Sequence, residues 1–228
     1  MRGRVLLLQT GSAPPTSGQE YGQLFGDALG LEPVLADARL GEFPEGDWAG
    51  VVITGSAFST YEELDWIGPC EEFLRQLAAR GVPLYGVCFG HQLLAQAFGG
   101  KVERCPNGWE LGTCRVELTE LGRKDPLFES LPGELAVQQS HGDVVTALPD
   151  GAEVLATNGH WGVQAFRLGA RIWGTQFHPE FTPVTMAASV ERVTTLLEQD
   201  AEQKQQLLDQ IEETAAARGC LANFARLL

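Results

Sequence analysis

Cys88 stands at the centre of Gly86-Val87-Cys88-Phe89-Gly90-His91-Gln92, between the apolar run Val82-Pro83-Leu84-Tyr85 and the helix-like Leu93-Leu94-Ala95-Gln96-Ala97-Phe98. That order reads as a strand, a sharp turn and a helix, with a thiol at the apex. Gly-x-Cys-x-Gly is the sulfur version of a nucleophile elbow. The flanking glycines let the backbone turn tightly and keep bulk away from the nucleophile. A sulfur at a helix start feels the positive end of the dipole, which favours the thiolate, the form that attacks carbon. The bland alternative is a small buried hydrophobe, so the heptapeptide alone does not decide.

A second segment does. Ile172-Trp173-Gly174-Thr175-Gln176-Phe177-His178-Pro179-Glu180 is a strand-like run that ends in a base and a carboxylate. A cysteine nucleophile needs a base, and the base needs an orienting group. His178 and Glu180 are two apart, so an extended segment would point them the same way. The expected triad is Cys88, His178 and Glu180. His141 is the rival base, but it lacks the carboxylate neighbour and the apolar strand before it.

The two motifs, in this order and spacing, resemble those of the class I (triad-type) glutamine amidotransferases. The similarity includes stand-alone members such as γ-glutamyl peptidase-like proteins and the glutaminase domain of GMP synthase, and runs from about Val5 to about Phe181. It implies an oxyanion hole from backbone N–H groups, one of Gly55 or Ser56 in the loop after Val51-Val52-Ile53-Thr54, the other of Phe89. It also implies that Gln92 helps hold the substrate, and that Ser140, His141 and Asp143 of Gln139-Ser140-His141-Gly142-Asp143 lie against its α-amino and α-carboxylate groups. Trp109 and Glu110 would contact the acceptor or peptide side, or simply pack. The loop itself departs from the family. Synthesis subunits usually carry Gly-Gly-Pro where this chain has Gly-Ser-Ala-Phe-Ser, which points away from the GMP synthase subunit itself.

The implied reaction is attack of Cys88 on the side-chain amide of glutamine or of a γ-glutamyl compound, release of ammonia or an amine, and hydrolysis of the resulting thioester. No metal or organic cofactor is expected. Three settings stay open: a subunit feeding ammonia to a separate synthetase, a stand-alone γ-glutamyl hydrolase, or a non-catalytic relative. The loop and the length lean mildly to the second.

Elements that could position these groups alternate along the chain. Val5–Gln9, Pro33–Leu35 and Val51–Thr54 read as strands. Tyr21–Leu29 and Leu64–Ala79 read as helices. Short connections between them imply a wound, mostly parallel, flavodoxin-like α/β sheet flanked by helices, whose site lies at strand carboxyl ends. After Gly99-Gly100 short runs such as Thr113–Leu118 and Leu135–Val137 predict an added antiparallel or mixed layer. Residues 1–182 would form the catalytic domain. Residues 183–228 would be helices, Val184–Leu197 and one from an Asp200 N-cap to a break at Gly219, that pack on the domain or form a homodimer contact.

The chain has 228 residues, enough for one α/β domain and, as expected here, too few for a fused synthetase. Lys and Arg number 16 against 30 Asp and Glu, a net charge of −14. That balance argues against a nucleic-acid surface. Val5–Leu8 is too short for a secretory signal or a membrane span. The five cysteines, an odd number, show no metal-ligand spacing and suit a reducing cytoplasm.

Overall fold

Side-chain alternation along the first strands sets the layers. In β1 (Arg4–Gln9), β3 (Trp48–Ile53) and β4 (Leu84–Val87) nearly every residue is buried, as expected where a parallel sheet is covered on both faces. Leu7, Val52 and Tyr85 face one core, and Leu6, Leu8, Val51, Ile53 and Leu84 face the other. Successive side chains on a strand point to opposite faces, so one apolar run serves two layers. The computed structural model describes residues 3–228. Met1 and Arg2, which open the expected catalytic domain, lie outside the described residues.

The first core is covered by α1 (Tyr21–Leu29), α4 (Pro183–Leu196) and α6 (Ala215–Arg226), the second by α2 (Ile67–Ala79) and α3 (Phe89–Ala97). With β2 (Val34–Asp37), β6 (Glu110–Leu118), β7 (Glu134–His141), β9 (Ala152–Thr157), β10 (Ala165–Leu168) and β11 (Ile172–Thr175), the main sheet has nine strands in the order β2-β1-β3-β4-β11-β10-β9-β6-β7. Its first five strands are parallel neighbours. The remaining pairings are antiparallel. β5 (Lys101–Arg104) and β8 (Asp143–Ala147) form a separate antiparallel pair. A wound parallel half with an added antiparallel layer is therefore present, curled so that Gln138 of β7 bridges to His178 beyond β11.

α1 has the expected bounds and stops at Gly30, in the left-handed conformation. Three expectations are corrected. β11 ends at Thr175, and residues 176–180 bend and turn because the Gln176 and His178 amides donate instead to the Gln164 and Gln138 carbonyls, at 2.8 and 2.9 Å. The helix capped by Asp200, α5, spans only Ala201–Asp209. Residues 210–214 leave it because Gln138 Nε2 donates to the Glu212 carbonyl at 2.8 Å and the Glu212 amide donates to Thr113 Oγ1 at 3.0 Å. Gly219 does not break a helix but lies inside α6. A Cβ there would fall 2.6 Å from Leu131 Cδ2, so glycine permits the close approach.

α6 inserts Ala217, Cys220, Leu221 and Phe224 into the first core. Phe224 packs on Tyr85 of β4 (ring centroids 5.4 Å) and on Trp173 of β11 (6.1 Å). These strands lead to Cys88 and to His178.

Candidate active site

Cys88 sits between β4 and α3 with φ 52° and ψ −103°, a backbone state that L-residues rarely adopt. Its neighbours force the geometry. A Cβ on Gly86 would lie 2.3 Å from the Gly90 carbonyl oxygen, and one on Gly90 would lie 2.5 Å from that of Ile53. Both positions therefore demand glycine for contact alone. The Cys88 amide donates to the Thr175 carbonyl at 2.8 Å, which ties the elbow to the end of β11. The elbow expected from the sequence is thus formed, with the sulfur at the first turn of α3.

His178 and Glu180 come together despite the bend: Nδ1 lies 2.8 Å from Oε1. Phe181 stacks on the imidazole with ring centroids 4.0 Å apart, and the His178 amide donates to the Gln138 carbonyl at 2.9 Å. The ring is thus held by a carboxylate and a stacked phenyl, and its backbone is fixed to β7. Burial disfavours the imidazolium, but the Glu180 carboxylate and the charge on Cys88 outweigh it, and His178 is raised to about 10. Glu180 is fully buried and its Oε2 has no hydrogen-bond partner among the described residues, so its charge acts mainly on the imidazole.

Gly55 is wedged against this pair. A Cβ there would sit 2.8 Å from His178 Cε1 and 3.7 Å from Cys88 Cβ. The Gly55 carbonyl accepts from Thr54 Oγ1 at 3.1 Å and from Thr10 Oγ1 at 3.4 Å. In a trans peptide the next N–H points the opposite way, so the Ser56 amide faces away from those threonines. No acceptor is found among the described residues for the amides of Gly55, Ser56 or Phe89, the candidates for the two donors expected for an oxyanion.

Two cavities meet at residues 56–58. One, of 310 Å³, is lined by Cys88, Gln92, Trp109, Ser140, His141 and Asp143. The other, of 280 Å³, is lined by His178, Tyr21, Arg39, Ser140, Ser189 and Arg192. A larger groove of 870 Å³ runs along α1 and β2 but contains none of the triad, so size does not locate this site.

The expected substrate contacts gather at the first cavity, with different tasks. Gln92 donates through Nε2 to the Asp143 carbonyl at 2.9 Å and to Gln176 Oε1 at 3.1 Å. Its own Oε1 accepts from no described residue. Ser140 lends its carbonyl to the Cys88 thiol at 3.9 Å and shares a 2.7 Å hydroxyl contact with Ser189. Both His141 nitrogens are engaged, Nδ1 with the Asp143 carbonyl and Nε2 with Glu110, each at 3.1 Å. That ring is therefore occupied in a network, not offered to Cys88. The Asp143 carboxylate accepts from Ser59 Oγ at 2.5 Å and Tyr61 OH at 3.0 Å, so it pins the loop that follows Ser56.

Of the pair expected at the acceptor side, Trp109 lines the cavity beneath Arg104, whose guanidinium is 5.2 Å from its ring. Glu110 is the correction. It begins β6 and is buried behind the site, accepting from Asn158, Gln164 and His141. Burial opposes its charge, but these donors, His141 foremost, leave its pKa lowered. His91 is buried against Phe166, and burial pushes it down to about 3, so it is neutral. Three contributors carried no earlier assignment. Gln176 Nε2 lies 3.8 Å from the Cys88 sulfur, and it stands inside the Gln-Phe-His-Pro-Glu motif, where it could have been found. Tyr21 and Arg192 belong to no motif, and only folding brings them to His178.

This arrangement can generate a nucleophile, move a proton and hold an oxyanion, which is the chemistry of acyl transfer. Comparisons with known proteins bear on the family of the chain. The family described as Glutamine amidotransferase class-I matches residues 34–194. Gamma-glutamyl peptidase 4 of Arabidopsis thaliana is 31% identical over 159 residues, covering 67% of this chain and 63% of that protein. GMP synthase [glutamine-hydrolyzing] of Bacteroides fragilis is 37% identical over 186 residues, covering 79% of this chain but 33% of that protein. The chain thus spans less than two thirds of the length of either relative. A glutamine amidotransferase structure from Thermotoga maritima superposes over 100% of this chain and 99% of its own, with TM-score 0.81 at 24% identity, a likeness of fold. Among the described residues no helix is long and apolar enough to cross a membrane. The chain belongs to the class-I glutamine amidotransferase family.

Proposed function

We propose that the protein is a cysteine-dependent hydrolase of the γ-glutamyl amide bond, acting on glutamine or a γ-glutamyl amide or peptide. The observation that carries this reading is the strained Cys88 elbow facing an imidazole that is buried, stacked and paired to Glu180. The Cys88 thiol passes its proton to His178, and the thiolate attacks the side-chain carbonyl carbon, forming the C–S bond. The Phe89 and Ser56 amides receive the oxyanion; one such donor typically contributes about 2.7–4 kcal/mol to the barrier. As the oxyanion collapses the C–N bond breaks, its electron pair stays on nitrogen, and His178 supplies the proton. Water, deprotonated by the same histidine, then cleaves the thioester to glutamate and restores the thiol. Gln92 Oε1 and the Ser140–Asp143 segment bind the α-amino and α-carboxylate groups. All five cysteines are free thiols, which fits work in a reducing cytoplasm.

The relatives named GMP synthase favour a second reading, in which a separate synthetase takes the ammonia. Steady-state hydrolysis of glutamine and of γ-glutamyl dipeptides by the isolated protein, with Cys88→Ser as control, separates the two. Fast turnover of a dipeptide, abolished by the substitution, is expected. Weak turnover of every compound, with Cys88 still labelled by a glutamine-analogue alkylator, would favour the synthetase partnership instead.

A further inference from the structure

The His178 cavity is larger than the release of ammonia requires. His178 protonates the departing nitrogen in the reaction above, so whatever that nitrogen carries lies on the His178 side of residues 56–58. The space there is 280 Å³, several times the ~30 Å³ share of one liquid water. Its charged lining beyond the histidine is Arg39 and Arg192, with no carboxylate among the lining side chains, in a protein of net charge −14. Arg39 is already held by Asp37, through Nε at 2.9 Å and Nη2 at 2.6 Å. Arg192, exposed on α4, forms no hydrogen bond or ion pair with any described residue and lines both cavities.

Resting on the γ-glutamyl hydrolase reading, we infer that this cavity is the leaving-group subsite and that Arg192 binds a carboxylate of the departing amino acid or peptide. A guanidinium offers two parallel donors to a carboxylate. In an α-amino acid the carboxylate stands two bonds from the departing nitrogen, so a leaving group seated where the cavities meet presents it to a residue that lines both. Arg39, fixed and neutralised by Asp37, shapes the wall and is not the receptor. The preferred substrates are thus γ-glutamyl amino acids and peptides with a free carboxylate on the leaving side, ahead of glutamine and neutral amides.

The test compares kcat/KM on γ-glutamylglycine and on γ-glutamylglycinamide, which differ only in that carboxylate. The wild type is expected to prefer the acid, and Arg192→Gln to lower the acid-to-amide ratio by about tenfold, chiefly through KM. Arg192→Lys, which keeps the charge without the fork, is expected to fall between them. A wild-type ratio near one overturns the inference whether or not a variant folds. So does an unchanged ratio in Arg192→Gln; in both cases continued hydrolysis leaves the underlying reading standing. No turnover of either dipeptide or of glutamine by wild type whose Cys88 still alkylates would remove the inference and the hydrolase reading together, whereas turnover of glutamine alone would remove only the inference.

Discussion

Cys88 carries its chemistry at a backbone cost. At φ 52° and ψ −103° a non-glycine residue is strained by about 1–3 kcal/mol, and removing the sulfur does not relieve that. Cys88→Ala keeps the Cβ and the strain, whereas Cys88→Gly loses both. Glycine also loses a little burial and more chain entropy, so the expected net is about 1 kcal/mol in favour of Cys88→Gly over Cys88→Ala. That corresponds to a Tm higher by about 2–4 °C. A lower Tm for the glycine variant would mean that the elbow is not strained. The neighbouring pair makes a separate prediction. Against the opposing effect of burial, Glu180 and the charge on Cys88 together raise His178 to about 10, so the imidazolium that protonates the leaving amine persists well above neutrality. The basic limb of kcat/KM is expected near that value. Glu180→Gln removes the charge while keeping the shape. It should move the limb to lower pH and cut kcat/KM by about 10²–10⁴; an unmoved limb would assign it to another group. The sign for stability is the same: a raised folded-state pKa stabilises the protein fully below His178's unfolded value of about 6.5, and that contribution is lost as pH rises through 10.

Elements decide which of these groups meet. Residues 56–62, just past β3, carry the Ser56 amide and are pinned from β8 by Asp143 through Ser59 and Tyr61. Asp143→Ala should free that loop, lower kcat/KM by about 10- to 100-fold through misplacement, and raise amide hydrogen exchange at residues 56–62 with little change in Tm. Lost activity with unchanged exchange would show that Asp143 acts on the substrate directly. How much could be read from the sequence follows from the range of the forces involved. The elbow was legible because strand, glycines, thiol and helix are written in one stretch and the need for Gly86 is a contact with Gly90 four residues on, although Gly90 is required by Ile53 from a distant strand. α1 was legible because the apolar stripe of Leu24, Phe25, Ala28 and Leu29 is equally local. Glu110 was not, because its partners at 141, 158 and 164 reach it only once β6 has paired with β7 and β9. The interruption at 210–214 was hidden for the same reason, since side chains from β6 and β7 capture its backbone. For Arg192, nothing in α4's own pattern separates a residue facing the cavity from an ordinary exposed cation.

At the scale of the molecule, one sheet serves two jobs. Its parallel half delivers Cys88 at the end of β4, and the curl of the antiparallel half brings Gln138 onto His178. Neither motif would meet the other without the core behind β4 and β11. α6, from the far end of the chain, supplies part of that core, because Phe224 lies between Tyr85 and Trp173 on the face of those two strands. Residues 215–226 are therefore structural to the sheet that aims the triad, although they lie beyond the matched family segment of 34–194. Phe224 is fully buried, so Phe224→Ala should cost about 3–5 kcal/mol by lost transfer and an unfilled cavity. At about 2–4 °C per kcal/mol for a chain of this size, thermal denaturation should show Tm lower by roughly 6–20 °C. Because Phe224 touches the strands from behind and not the cavities, kcat/KM measured well below the new Tm should stay within a fewfold of wild type. A small change in Tm would mean that α6 only lies on the surface of the sheet. A normal Tm with lost activity would mean that it transmits position to the triad without contributing to the fold.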